Sequence, residues 1–115
     1  MNTNTNTNAT TNVSRIADIA DGLITSYSEA SDTAKGAVKW RATGHANGAC
    51  DARSFCLAWE GSLTELESAV RARIEWTERE YPLAPGATAK DKADYAGYSS
   101  GWHDVADIVR YVVKG

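Results

Sequence analysis

The sequence predicts a mainly α-helical fold, in which one small helical domain over residues 13–115 follows a disordered polar tail over residues 1–12. Apolar residues recur at intervals of three and four in several long segments, which is the period of a helix that buries one face. The middle of the chain is rich in alanine, and both prolines lie in one short segment between two of these patterns. We therefore expect helices packed against helices.

Composition narrows the class of protein. The chain has 115 residues, 43% of them hydrophobic, and a net charge of −3. This length suits one domain with its own core. No apolar run is long enough to span a membrane, and the first residues do not resemble a signal peptide. Two cysteines without an export signal indicate free thiols in the cytoplasm. The acidic balance argues against a general nucleic-acid binder.

The distribution of apolar residues distinguishes the polar tail from the first predicted helix. Residues 1–12 consist of Asn and Thr with one Ala after Met1, so they offer little apolar surface to bury. Helical periodicity begins at Val13 and predicts a first helix over residues 14–30. Its apolar stripe consists of Ile16, Ala20, Leu23 and Tyr27.

Residues 34–60 admit two interpretations. Alternating apolar residues on both sides of a Gly44–Gly48 loop are typical of a β-hairpin within residues 37–60, which would make the fold α+β. The alanine-rich composition instead favours two short helices, and a hairpin loop of this length is unusual. We favour the helices and retain the hairpin as the alternative.

Two further helices are clearer. Ser62 and Glu65 have the spacing of a capping box, and the helix that they begin should end at Pro82. Its predicted stripe consists of Leu63, Leu66, Val70, Ile74, Thr77 and Tyr81. The last helix starts near Thr88 or Lys90 and runs towards Lys114. Its predicted stripe consists of Tyr95, Tyr98, Trp102, Val105, Val109 and Val112.

Catalytic and metal sites are not predicted. Five residues separate Cys50 from Cys56, whereas paired zinc ligands usually have two to four between them. Neither cysteine lies in a recognisable nucleophile motif. His103 and Asp107 have i,i+4 spacing, but such a pair is typical of a solvated helix surface. We expect a non-enzymatic protein without a metal or cofactor, and keep a Cys/His-dependent enzyme or metal protein as an alternative.

A small nucleic-acid-binding or regulatory module is another alternative. Residues 35–60 are locally basic and contain Trp40, and this is the mixture that stacks on bases. The four cations are Lys35, Lys39, Arg41 and Arg53.

Partner binding is the preferred interpretation. Trp76 lies about 140° around its helix from Leu63, away from the apolar stripe. Tryptophan presented on a surface is often an interface hot spot. Acidic side chains recur on the helix faces, and opposite charge accelerates encounter with a basic partner. The predicted partner-binding residues are Glu75, Trp76, Glu78, Asp104 and Asp107.

Three strings resemble the small anti-CRISPR proteins of phages and mobile elements, in particular inhibitors of type I surveillance complexes. They are the segments 39–45 (KWRATGH), 56–63 (CLAWEGSL) and 101–107 (GWHDVAD). The resemblance implies stoichiometric, non-catalytic binding to a host CRISPR-Cas complex in the host cytoplasm, which would block target DNA recognition. It carries no family-wide functional residues. The modest net charge departs from that of a DNA mimic.

Overall fold

Four helices make up the computed structural model, which describes the backbone of residues 3–114 and the side chains of residues 12–114. They are α1 (Thr3–Thr33), α2 (Gly36–Ala58), α3 (Leu63–Glu80) and α4 (Ala89–Lys114). The predicted mainly α fold is confirmed. The described part of the chain contains no strand, so the hairpin alternative is wrong. The backbone of α1 begins at Thr3, earlier than the predicted first helix over residues 14–30, so its first turns run through the predicted tail. Apart from Asn12, the side chains of the tail lie outside the described residues, and its disorder stays a prediction.

The central feature is the crossing of α2 and α4, which have the most extensive contact of any two helices. Gly44 and Gly48 of α2 face Gly97 and Gly101 of α4. A Cβ atom at any of these four positions would lie closer than 3.0 Å to a backbone carbonyl oxygen of the other helix. Glycine therefore allows the two backbones to touch, as in small-xxx-small helix pairs. We call these four residues the glycine seam.

The glycine seam also corrects the prediction for residues 34–60. Instead of the two short helices predicted, one continuous helix of 23 residues crosses the region. Two mid-helix glycines each cost up to about 1 kcal/mol relative to alanine. Contact with α4, which also buries Ala49 and Ala52, offsets that cost.

A single apolar core joins all four helices. The predicted stripe of α4 is buried from Trp102 onwards, and the stripe of α3 is buried at its centre. Tyr81 is the exception on α3, because the helix ends at Glu80 and leaves this residue 64% exposed. The principal core side chains are Ile16, Ala20, Cys56, Leu66, Val70, Ile74, Trp102, Val105, Val109 and Val112.

The capping box lies at a different helix from the one predicted. Ser62 is the N-cap of α3, but its side chain makes no capping hydrogen bond. At the start of α4, the backbone N–H of Asp91 donates to Thr88 Oγ1 at 3.1 Å, and the backbone N–H of Thr88 donates to Asp91 Oδ2 at 3.4 Å. This reciprocal pair satisfies two donors that the first turn leaves without partners.

No helix within residues 3–114 is both long and apolar enough to cross a membrane.

Candidate functional site

The five predicted partner-binding residues do not form one surface. Glu75, Trp76 and Glu78 are exposed on α3, where Trp76 points away from the other two by helix geometry. Asp104 and Asp107 lie on α4, and each of them has an intramolecular partner. The candidate site therefore divides into an aromatic surface and a row of charged side chains.

The aromatic surface lies at the end of α3. The rings of Trp76 and Tyr81 meet edge to face, with centroids 5.5 Å apart. The guanidinium carbon of Arg73 lies 4.5 Å from the Trp76 ring centroid, within the range of a cation–π contact. Trp76 is 36% exposed and Tyr81 64%. We call Arg73, Trp76 and Tyr81 the aromatic patch.

Charged side chains form a row along the contact between α3 and α4. Glu78 Oε1 accepts a hydrogen bond from Ser99 at 3.1 Å and lies 3.8 Å from His103 Nε2. Further along, Arg71 bridges Glu67 at 2.8 Å and Asp107 at 3.0 Å. Asp107 thus pairs with α3, and the predicted contact with His103 on its own helix is not formed. The hydrogen bonds from Arg71 to Glu67 and Asp107 stabilise the charged guanidinium and raise the pKa of Arg71 above its usual value.

Asp104 contacts a buried histidine. Its Oδ2 lies 2.6 Å from Nε2 of His45, which is 7% exposed. The ring of Tyr27 stacks on the His45 ring at a centroid distance of 3.7 Å. One contact set therefore links α1, α2 and α4. Asp104 keeps 39% of its side chain exposed, so it both stabilises the crossing and reaches the surface.

A small aromatic cleft opens between α3 and α4. Ile74, Tyr95, Tyr98 and Trp102 form its walls, and it encloses about 280 Å³, including space open to solvent. The Tyr98 hydroxyl donates to Asp51 Oδ2 at 2.6 Å. Burial and then this hydrogen bond raise the pKa of Tyr98. The cleft borders the charged side chains between α3 and α4 at Glu78. The polar groups of Glu78, Tyr98 and Ser99 in its lining have hydrogen-bond partners within the protein.

The two cysteines have different environments. Cys50 is exposed on α2, whereas Cys56 is buried in the core. Burial raises the pKa of the Cys56 thiol to about 11, which keeps it protonated and weakly nucleophilic near neutral pH. Among the described residues, no group of three or more His, Cys, Asp or Glu side chains is arranged to hold a metal ion.

The basic segment of α2 is partly neutralised from within the protein. Lys39 Nζ donates to the carbonyl oxygen of Ser31 at 2.9 Å, and Arg53 pairs with Asp21 at 2.8 Å. These contacts hold both halves of α2 against α1. Of the four cations, Arg53 has a salt bridge and Lys39 a hydrogen bond, whereas Lys35 and Arg41 have neither to the described residues. The segment is therefore a weaker nucleic-acid surface than its composition indicates.

Sequence reasoning missed three members of these arrangements. Arg73 and Tyr81 complete the aromatic patch, and their signal was local, because Arg73 precedes Trp76 by three positions and Tyr81 follows it by five. His45 entered the sequence analysis only as a residue of the Gly44–Gly48 loop and of the segment 39–45. Its partner Asp104 lies 59 positions away, and no local pattern reveals such a pair.

Comparisons with protein-family models, curated proteins and solved structures find no match to this chain.

Proposed function

We propose that this protein is a non-catalytic, anti-CRISPR-like inhibitor that binds a type I CRISPR-Cas surveillance complex in the host cytoplasm and blocks target DNA recognition. The choice of partner rests on the resemblance of the segments 39–45, 56–63 and 101–107 to such inhibitors. The binding mode rests on the aromatic patch.

The aromatic patch is the observation that carries the proposal. Tryptophan, tyrosine and arginine are the residue types most enriched among interface hot spots, and here one of each is in contact on the surface of α3. Trp76 and Tyr81 restrain each other, and Arg73 packs on Trp76, so little side-chain freedom remains to be lost on binding. A partner that covers the patch would remove two large apolar rings from water.

Acidic residues supply the second part of the argument. A complex that recognises DNA must present a basic channel to the phosphates. Glu75 and Glu78 are exposed on the same helix as the aromatic patch. Asp107 is 70% exposed on α4, where α4 contacts α3. Opposite charge would therefore orient the inhibitor as it approaches, and the aromatic contacts would hold it afterwards.

Surface plasmon resonance against purified type I surveillance complexes tests the proposal. We expect saturable binding in the wild type. Trp76→Ala should weaken binding about tenfold or more, chiefly by faster dissociation, because hot-spot contacts act after docking. Glu75→Lys with Glu78→Lys should slow association, most strongly at low salt.

Leu57→Ala provides the matched control, since Leu57 is an exposed apolar residue, 47% accessible, on α2. Its binding should equal that of the wild type. Absence of binding to every type I complex would contradict the inhibitor. Tight binding that Trp76→Ala and Tyr81→Ala leave unchanged would instead contradict the role of the aromatic patch.

A further inference from the structure

A second surface, separate from the aromatic patch, lies between α1 and α4. It is a groove of about 660 Å³, including the part that is open to solvent. Ile19 and Leu23, one turn apart, line it from α1, and Ile108 lines it from α4. Ile19 is 36% exposed, and the other two are half-buried. The groove therefore presents apolar side chains on both walls.

Gly22 lies in the α1 wall of the groove, and neither close packing nor backbone conformation requires glycine at this position. A Cβ atom there would meet nothing within 4 Å, in contrast to the glycine seam, and Gly22 does not have a positive φ angle. Glycine at this mid-helix position costs up to about 1 kcal/mol relative to alanine. The absence of a side chain at Gly22 leaves space in the groove.

Two carboxylates lie on the α4 wall of the groove. Asp104 binds His45 through Oδ2, and Asp107 binds Arg71 through Oδ1. Among the described residues, the remaining oxygen of each carboxylate accepts no hydrogen bond. These oxygens are fixed in position by the intramolecular partners of their carboxylates, and they are available to a cation that approaches the groove.

We propose that this groove binds an amphipathic helix of a protein partner, with an apolar face against Ile19, Leu23 and Ile108 and lysine or arginine side chains towards Asp104 and Asp107. The i,i+4 spacing of Ile19 and Leu23 matches the ridges of an incoming helix. The carboxylates provide charge complementarity along one flank. The proposal can be tested apart from the CRISPR-Cas partner, because the groove shares Asp107 but not the aromatic patch with the surface proposed above, and its ligand is a peptide that can be titrated alone.

Isothermal titration of the full chain with a synthetic amphipathic helix tests the groove. The probe is about 18 residues long, or five turns, with leucine on one face and lysine on both flanks. A matched probe carries glutamate in place of lysine. We expect the lysine probe to bind and the glutamate probe to bind at least about tenfold more weakly, and the difference should shrink as salt rises.

Two variants locate the binding. Gly22→Phe fills the groove and should weaken the lysine probe about tenfold or more. Ser28→Phe should leave it unchanged, because Ser28 is exposed on the side of α1 opposite to Ile19 and Leu23. Asp107→Lys should also weaken it, with Glu60→Lys, an exposed residue between α2 and α3, as the charge-matched control. Circular dichroism establishes that each variant is folded, and the Asp107 comparison tests the groove should Gly22→Phe fail to fold.

Three results would overturn the proposal. The first is equal affinity of the two probes for the wild-type chain. The second is an unchanged affinity of the lysine probe for both Gly22→Phe and Asp107→Lys when both variants are folded. The third is a dimer by sedimentation that Gly22→Phe converts to a monomer, because a second copy of the chain would then occupy the groove. None of these results depends on binding to a surveillance complex, so this proposal and the inhibitor can fail separately.

Discussion

His45 Nε2 lies 2.6 Å from Oδ2 of Asp104, and this pair connects the middle of α2 to the middle of α4. The imidazole is almost fully buried and is covered on one face by the ring of Tyr27. Buried polar groups in proteins nearly always have a hydrogen-bond partner, since leaving one unpaired costs free energy. Asp104 supplies that partner, so a residue predicted from its surface pattern also has a role in stability.

Removing the carboxylate of Asp104 should therefore destabilise the fold. Asp104→Ala leaves the His45 ring nitrogen without its partner, and we expect a loss of about 1–3 kcal/mol in the free energy of unfolding. Asp107→Ala is the matched control, because its ion pair with Arg71 is largely exposed and worth less than about 1 kcal/mol. Urea denaturation measures both. Equal stability of the two variants would contradict the structural role of the His45–Asp104 pair.

Replacing glycine by alanine should have opposite effects at Gly48, which lies in the glycine seam, and at Gly22, which does not. Gly48→Ala places a methyl group against the carbonyl oxygen of Tyr98 and forces α2 and α4 apart, so we expect a loss of about 2 kcal/mol or more. Gly22→Ala meets no neighbour and should stabilise the protein by up to about 1 kcal/mol through helix propensity. Thermal unfolding should show the melting temperatures moving in opposite directions.

Residues 36–58 show where sequence reasoning fails for this fold. Helix class and the core stripes of α3 and α4 followed from periodicity, which is a local property. Gly44 and Gly48 are poor helix formers that locally indicate a loop. They are helical because Gly97 and Gly101, about fifty positions later, allow the backbone of α4 to approach them. Stabilisation by so distant a segment leaves no trace in a short window of sequence.

Two tryptophans should respond differently to truncation. Trp102 is 8% exposed and contacts Phe55 edge to face, so Trp102→Ala should cost about 3–5 kcal/mol. Trp76→Ala should cost less than about 1 kcal/mol, because Trp76 is a surface residue that packs on Arg73 and Tyr81. Denaturation curves compare them directly. A similar loss in both variants would show that the aromatic patch belongs to the structural core.

The candidate site was predictable in part. Helix arithmetic alone put Trp76 away from the apolar stripe, and its exposure agrees with that prediction. The arithmetic assumed that α3 continues through Tyr81, whereas α3 ends one residue earlier and Tyr81 turns to meet Trp76. Likewise, the position of Asp107 on its helix was correct, but its partner Arg71 lies on another helix. Contacts between helices require knowledge of the packing.

The thiols should differ in reactivity in the folded protein. With a thiol reagent at neutral pH, we expect one equivalent to react rapidly, at exposed Cys50, and a second only after denaturation, at buried Cys56. Cys50→Ser should abolish the rapid equivalent, and Cys56→Ala should leave it unchanged. Rapid reaction of both thiols in the native protein would contradict the burial of Cys56.

Cys56 also makes stability depend on pH. The unfolded thiol loses its proton near pH 9, whereas the folded thiol keeps it until about pH 11. Between these values the folded state binds more protons than the unfolded state, so the stabilising contribution is complete below pH 9 and is lost as pH rises to about 11. Denaturation of Cys56→Ala across this range should show a shallower decline than the wild type. Equal slopes would contradict the raised pKa.

The direct contact of backbones in the glycine seam has a consequence for how far this sequence can diverge. Side chains elsewhere on α2 and α4 can be exchanged for others of similar volume, but the four glycine positions accept no substituent without separating the helices. A remote homologue could therefore differ almost everywhere and still keep two glycine pairs, each with three residues between, in its second and fourth helices. A search by that pattern, with helix order as the second criterion, should detect relatives that overall identity does not.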